Sequence, residues 1–135
     1  MIVADASVAV AAFASWHEAH AAAARALGPT AGIVAHAAVE SYSVMTRLPP
    51  PHRASEEVAA EFLRRRFGRR WIGLSVEEQR EALGTLPLLG IRGGATYDAL
   101  IGATAARAGA TLVSLDERAL SVYAAVGADV DLLSG

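Results

Sequence analysis

The chain has no cysteine among its 135 residues, which excludes both a disulfide framework and a thiolate metal site. It has no lysine either, since all 12 basic residues are arginines. Receiver-type phosphate-transfer regulators and haloacid-dehalogenase-like phosphatases both place aspartates at strand ends, but both rely on a lysine. The phosphatase signature also needs Asp-x-Asp after the first strand, where this chain has Asp5-Ala6-Ser7. Long apolar runs are lacking too. The longest uncharged stretch, Ala26 to Val39, is broken by Gly28, Pro29 and Gly32 and is poor in the bulky side chains of a membrane span. The N-terminus has no basic region, and Asp5 interrupts its first apolar run, so no secretory signal is expected. A reducing, cytoplasmic setting and no membrane partner are the expectation. Gly90-Ile91-Arg92-Gly93-Gly94 lacks the Lys-Ser/Thr ending of a phosphate loop and reads as a plain connection.

What the chain does have is apolar surface. Hydrophobic residues make up 53% of it, enough for one core and one domain over residues 1–135. The fraction is high for a soluble monomer and predicts a partner that covers part of it. The net charge of −2 means that any nucleic-acid contact must come from a local patch. Short apolar runs at 1–4, 33–34, 71–74, 111–115 and 130–133 read as buried strands. Helices are expected over 6–14, 18–27, 36–48, 55–66, 96–108 and 117–126, with a further one capped by Ser75. Gly28-Pro29, Pro49-Pro50-Pro51, Gly109 and Gly127 punctuate them. The alternation predicts an α/β fold with a central, mainly parallel sheet of about four to five short strands flanked by helices. The 49–95 region, with two helices and at most one strand, reads as an inserted helical pair.

Of the 14 acidic residues most lie on charged helical faces, such as Glu56, Glu57 and Glu61, or Glu77, Glu78 and Glu81. Four do not. Asp5 is the first charged side chain, with none before Glu18. Glu40 stands alone between Arg25 and Arg47, and Asp98 between Arg92 and Arg107. Asp116 follows an uncharged stretch that begins after Arg107. Taken singly, Asp5 and Asp116 read as helix caps, and Asp98 as a charge favoured by a helix dipole. Glu40 is harder to dismiss, because a mid-helix carboxylate in apolar surroundings is costly unless paired. Four such placements together require four independent accidents. Asp5 and Asp116 both follow buried strands, and parallel strands open their C-terminal ends onto one edge, where ligands bind. Glu40 lies within about two helical turns of that edge, and Asp98 reaches it if its helix starts there. Two carboxylates ~4 Å apart repel by roughly 4 kcal/mol at an effective dielectric of about 20. Some must protonate, or a divalent ion must neutralise them. All-oxygen ligation selects Mg2+ or Mn2+ over zinc, and such an ion can activate a water towards a phosphodiester.

The order Asp5-Ala6-Ser7, Glu40, Tyr97-Asp98-Ala99-Leu100 and Ser114-Leu115-Asp116 resembles the PIN-domain pattern, particularly that of the VapC toxins, over nearly the whole chain. The resemblance implies that Asp5, Glu40, Asp98 and Asp116 are an acidic, catalytic metal-binding quartet. Ser114 stands at a hydroxyl position that is more usually threonine, and Ser7 at a small polar position supporting the first aspartate. It further implies an endoribonuclease dependent on Mg2+ or Mn2+ that cuts RNA of the tRNA or rRNA class by metal-activated water. Such a protein acts as a toxin, dimerises, and is neutralised by a VapB-type antitoxin.

The dense basic cluster Arg64, Arg65, Arg66, Arg69 and Arg70 reads either as an RNA-backbone contact or as a solvated helix end favoured by the dipole. Trp71 beside it reads as a half-buried strand residue rather than a base-stacking one. His17 and His20 read as a solvent-facing pair, and His36 and His52 carry no signal. Two other readings remain open. One is a catalytically idle PIN-like module that binds an antitoxin or RNA, and the other is a nuclease directed at DNA.

Overall fold

The N-terminal run forms β1 (Ile2–Ala4), whose Val3 and Ala4 are fully buried. The computed structural model describes residues 1–134. Asp5 follows in an extended conformation and caps α1 (Ala6–Phe13) by accepting the Val8 N–H. Helix α2 (His20–Leu27) begins two residues later than the periodicity suggests. His17 shapes a turn there: its N–H donates to Ala14, and its Nδ1 accepts from Ala19. His20 Nδ1 lies 2.9 Å from the Ala11 carbonyl oxygen. His17 is thus a half-buried turn residue and His20 the half-buried first residue of α2, not a solvent-facing pair.

Strand β2 (Gly32–Val34) leads directly into α3 (Ala35–Arg47). Gly32 has no alternative: a Cβ there would lie 2.3 Å from the Arg70 carbonyl oxygen. Ser55 caps α4 (Glu56–Phe67), and β3 (Trp71–Ile72) follows. Ser75 and Glu78 form a reciprocal capping box at the start of α5 (Val76–Leu89), which runs through Pro87. Helix α6 (Ala95–Arg107) precedes β4 (Thr111–Ser114). The last helix does not start at 117 as expected. Asp116 accepts the Arg118 N–H, tightening Glu117–Ala119 into a 3-10 turn before α7 (Leu120–Ala125). Strand β5 (Asp129–Leu132) ends the fold.

The five strands are all parallel, in the order β3-β2-β1-β4-β5. The α/β expectation holds, with one correction. Helices α4 and α5 are not an inserted pair, because β3 separates them and pairs with β2 through Ile33↔Trp71 and Val34↔Ile72. Right-handed crossovers that run outward from β1 to β3 and then return to β4 put α1–α4 on one face and α6–α7 on the other. Alanines make up much of the buried interior, among them Ala9, Ala11, Ala37, Ala38 and Ala105, with Ile33, Leu112, Met45, Phe67 and Tyr123 filling the larger spaces. No buried side-chain polar atom among the described residues lacks a hydrogen-bond partner.

Helix α5 is the exception to burial: none of its residues is buried. Val76, Leu83 and Leu88 are 78%, 64% and 86% exposed, and they line an apolar groove of about 1110 Å3 against α6 and the end of α7. Part of the apolar excess seen in the composition lies here. No helix among the described residues is long and apolar enough to cross a membrane.

Candidate active site

Strand order reverses at β1, which is followed in sequence by β2 on one side and flanked by β4 on the other. In parallel α/β sheets the crevice at such a switch point, beyond the carboxyl ends of the strands, is where ligands bind. Asp5 directly follows β1 there. Asp116 stands two residues beyond β4. Helix α3 leaves the same edge from the end of β2, which puts Glu40 in its second turn. Helix α6 runs toward the start of β4, so its first turn, with Asp98, lies back at this edge. The rings of His36 (first turn of α3) and Tyr97 (first turn of α6) confirm the proximity: they stack at 5.5 Å with only 4° between planes. The four carboxylates singled out in the sequence therefore share one edge.

Asp5 is the centre of a hydroxyl network. It is 2% exposed. Ser7 Oγ donates to Asp5 Oδ1 at 2.6 Å, and the Val8 N–H donates to the same oxygen at 3.1 Å. Ser114 Oγ and the Tyr123 hydroxyl donate to Oδ2 at 2.6 and 2.9 Å. Both serines are themselves held, since Ser7 Oγ accepts the Leu115 N–H and Ser114 Oγ accepts the Asp116 N–H. The network thus ties the ends of β1 and β4 together and explains the hydroxyls at 7 and 114. Burial pushes the Asp5 carboxyl above the ordinary value, while these hydrogen bonds pull the other way. The Tyr123 phenol is held above its ordinary value by burial and by Asp5.

The other three carboxylates are half-buried. Burial, then Asp116 and Asp5, raise the Asp98 carboxyl, with Arg118 opposing. Burial raises Glu40, His36 lowers it, and Asp98 and Asp5 raise it further. His36 Nε2 lies 3.9 Å from Glu40 Oε2. Arg118, 94% exposed, has its Nε 3.6 Å from Asp116 Oδ1. Asp98 thus meets repulsion from Asp116 and Asp5, and Glu40 from Asp98 and Asp5, against the opposing charges of Arg118 on the one and of His36 and Arg47 on the other. Among the described residues, no three His, Asp or Glu side chains stand close enough to hold a metal ion as placed. The donor set nevertheless fits a hard divalent cation chemically: it is all oxygen, anionic, and partly open to solvent at Glu40, Asp98 and Asp116.

The arginine cluster lies elsewhere. Arg66 Nη2 donates to the Gly28 carbonyl at 2.8 Å, and Arg70 Nε to the Ala31 carbonyl at 3.0 Å. Both carbonyls precede β2, and Arg70 precedes β3, so these side chains brace the N-terminal edge of the sheet. Arg64 and Arg65 pair with Glu61 on their own helix, and Arg69 is exposed beside them. The structure does not bring these five residues to the carboxylates. It adds two features that sequence reasoning missed, Tyr123 under Asp5 and His36 against Tyr97. A tyrosine on an apolar helical face signals only core, and a lone histidine signals nothing.

The PIN domain family matches residues 2–125 of this chain. Ribonuclease VapC40 of Mycobacterium tuberculosis is 45% identical over 134 residues, which cover 99% of this chain and all of that protein. Among solved structures, FitAB bound to an IR36 DNA fragment superposes with a TM-score of 0.71 at 17% identity, covering 98% of this chain and 94% of that one. VapBC2 of Rickettsia felis, bound to a fragment of its promoter, superposes with a TM-score of 0.68 at 17% identity, covering 99% of this chain and all of that one.

Proposed function

The chain belongs to the PIN-domain family, in its VapC group, and from that premise we propose that it is a divalent-metal-dependent endoribonuclease. In this reading it acts as the toxin of a VapBC-type pair in the cytoplasm, on RNA of the tRNA or rRNA class. The observation that carries the reading is that Asp5, Glu40, Asp98 and Asp116 share the switch-point edge, where carboxylates raise the pKa values of Glu40 and Asp98. Asp98, Asp116 and Asp5 would hold Mg2+ or Mn2+, with Glu40 on the same ion or a second one. Such an ion supplies neutralisation of the carboxylates and of the phosphodiester, and a more acidic water.

The chain's own residues do the rest. Ser7, Ser114 and Tyr123 keep the Asp5 carboxylate in one orientation. The exposed Arg118 meets RNA phosphate at the lip. The stacked His36 and Tyr97 rings, the latter 54% exposed, offer a face to a base. The reaction is hydrolysis: a water oxygen joins phosphorus, a phosphoester P–O bond breaks, and the leaving oxygen takes a proton. The uncovered apolar face of α5 accords with a protein that works in assemblies. A VapB-type antitoxin and a second copy of the chain are the proposed partners.

The competing reading, a catalytically idle module that binds antitoxin or RNA, draws on the filled acceptor sites of Asp5. The deciding experiment incubates wild type and Asp98→Asn with matched RNA and DNA oligonucleotides in Mg2+, Mn2+ or EDTA. Metal-dependent cutting of RNA, lost in the variant, is the expected result. Equal cutting of DNA would redirect the substrate, and full activity of Asp98→Asn would break the quartet assignment.

A further inference from the structure

A carboxylate has about four lone-pair positions, and Asp5 has all four engaged: Ser7 and the Val8 N–H on Oδ1, and Ser114 and Tyr123 on Oδ2. Three of these donors come from the edge itself. Tyr123 does not. It comes from α7, 118 positions along the chain, and its ring is 2% exposed. Among the described residues it is also the one hydroxyl of the three that bonds Asp5 alone, so its position depends on where α7 packs.

That packing is set on α6. A Cβ at Gly102 would stand 2.7 Å from Val126 Cγ2, 3.1 Å from Tyr123 Cδ1 and 3.3 Å from Tyr123 Cα. A side chain at 102 would press on Val126 and on the Tyr123 backbone, so α7 would have to shift or Val126 repack. Gly102 is four residues after Asp98, so the two lie on one face of α6. One helix face thus carries both an acidic ligand candidate and the notch that seats the tyrosine. Through Gly102 and Tyr123, the position of Asp98's helix is coupled to the orientation of the Asp5 carboxylate.

We propose that Tyr123 is a positioning residue of the carboxylate centre, anchoring Asp5 Oδ2 so that a divalent cation would displace a donor from Oδ1, and that Gly102 is the notch that puts it there. The inference rests on the metal-dependent reading above. Hydrogen-bonding partners of ligating carboxylates are worth ~10–100-fold in metal affinity or activity.

The test compares Mn2+ binding, counted as free Mn2+ by EPR, in wild type, Asp5→Asn, Tyr123→Phe and Phe67→Leu. Phe67 is fully buried on α4 near the opposite edge. Its substitution should lower the melting temperature and leave Mn2+ affinity unchanged. Tyr123→Phe should keep a cooperative melt and bind Mn2+ ~10–100-fold more weakly. Gly102→Ala should do the same, and Val126→Ala in its background should restore part of the affinity by clearing the nearest contact. Wild-type affinity in Tyr123→Phe, alongside a loss in Asp5→Asn, overturns the inference and leaves the metal site standing. No Mn2+ binding by wild type overturns both. Should Tyr123→Phe fail to fold, the wild-type chain still decides. Mg2+ must then move the NMR resonance of the Tyr123 hydroxyl proton, and an unmoved resonance refutes the proposal.

Discussion

The two edges of the sheet carry opposite charges for opposite reasons. At the N-terminal edge, Arg66 and Arg70 point their guanidinium groups at backbone carbonyls of residues 28, 29 and 31 that no strand or helix satisfies. Both of these arginines have partners, and the arrangement closes a loop. At the C-terminal edge, Asp98 and Glu40 face other carboxylates, and burial and repulsion both raise their pKa values. Charge that completes hydrogen bonds is architecture. Charge gathered against its own repulsion is the better mark of a site, because a bound cation relieves it. Sequence density pointed the other way, since the arginines form the denser cluster and the acids are scattered from 5 to 116.

Four predictions sharpen this contrast. The largest effect is expected at the acidic edge: Asp116→Asn should lower kcat/KM for RNA by ~100-fold or more, about 2.7 kcal/mol of transition-state stabilisation. Its fold should survive, as read by circular dichroism. Next, Arg70→Ala should leave cleavage unchanged but cost ~1–3 kcal/mol in urea unfolding, because it strips the buried Ala31 carbonyl of its donor. A cleavage loss without a stability loss would turn the arginine cluster back into an RNA contact.

The third prediction concerns pH. Asp5, Glu40 and Asp98 have folded-state pKa values above their ordinary ones, so the native state disfavours their ionised forms. Their contribution to stability is fully present below the unfolded values and is lost as pH rises through the raised folded ones. In EDTA, stability should therefore decline as pH climbs above the ordinary carboxylate range, and the decline should flatten in Asp98→Asn. Solvent screening at the half-exposed Asp98 keeps that variant's gain below about 1 kcal/mol. The smallest effect belongs to Arg65→Ala, whose exposed pair with Glu61 should leave both melting temperature and cleavage where they are.

Most of the fold is legible because its punctuation is local. Ser55 and Ser75 start helices, Gly28 and Gly109 stop them, and the alternation of short apolar runs with helical stretches reads as a parallel sheet. The misreadings come where the third dimension decides. The pairing of β3 with β2 depends on the chain returning to the sheet, which two residues of sequence cannot announce. The tight turn at Glu117 depends on how Asp116 bends back. The acidic residues stand out because a lone charge in an apolar segment is anomalous wherever it lies. Tyr123 is invisible for the converse reason: its ring belongs in a core, and only its hydroxyl, across 118 positions, belongs to the site.

The central claim is that the carboxylates at the switch-point edge share a divalent cation. The most direct measurement is thermal unfolding of wild type and Asp98→Asn in EDTA and in saturating Mn2+. An ion held by the native state alone adds roughly 2.7 kcal/mol at 100 Kd. The account predicts a reversal of order, with the variant more stable than wild type in EDTA and less stable in Mn2+. A variant that stays the more stable protein in both conditions would contradict it.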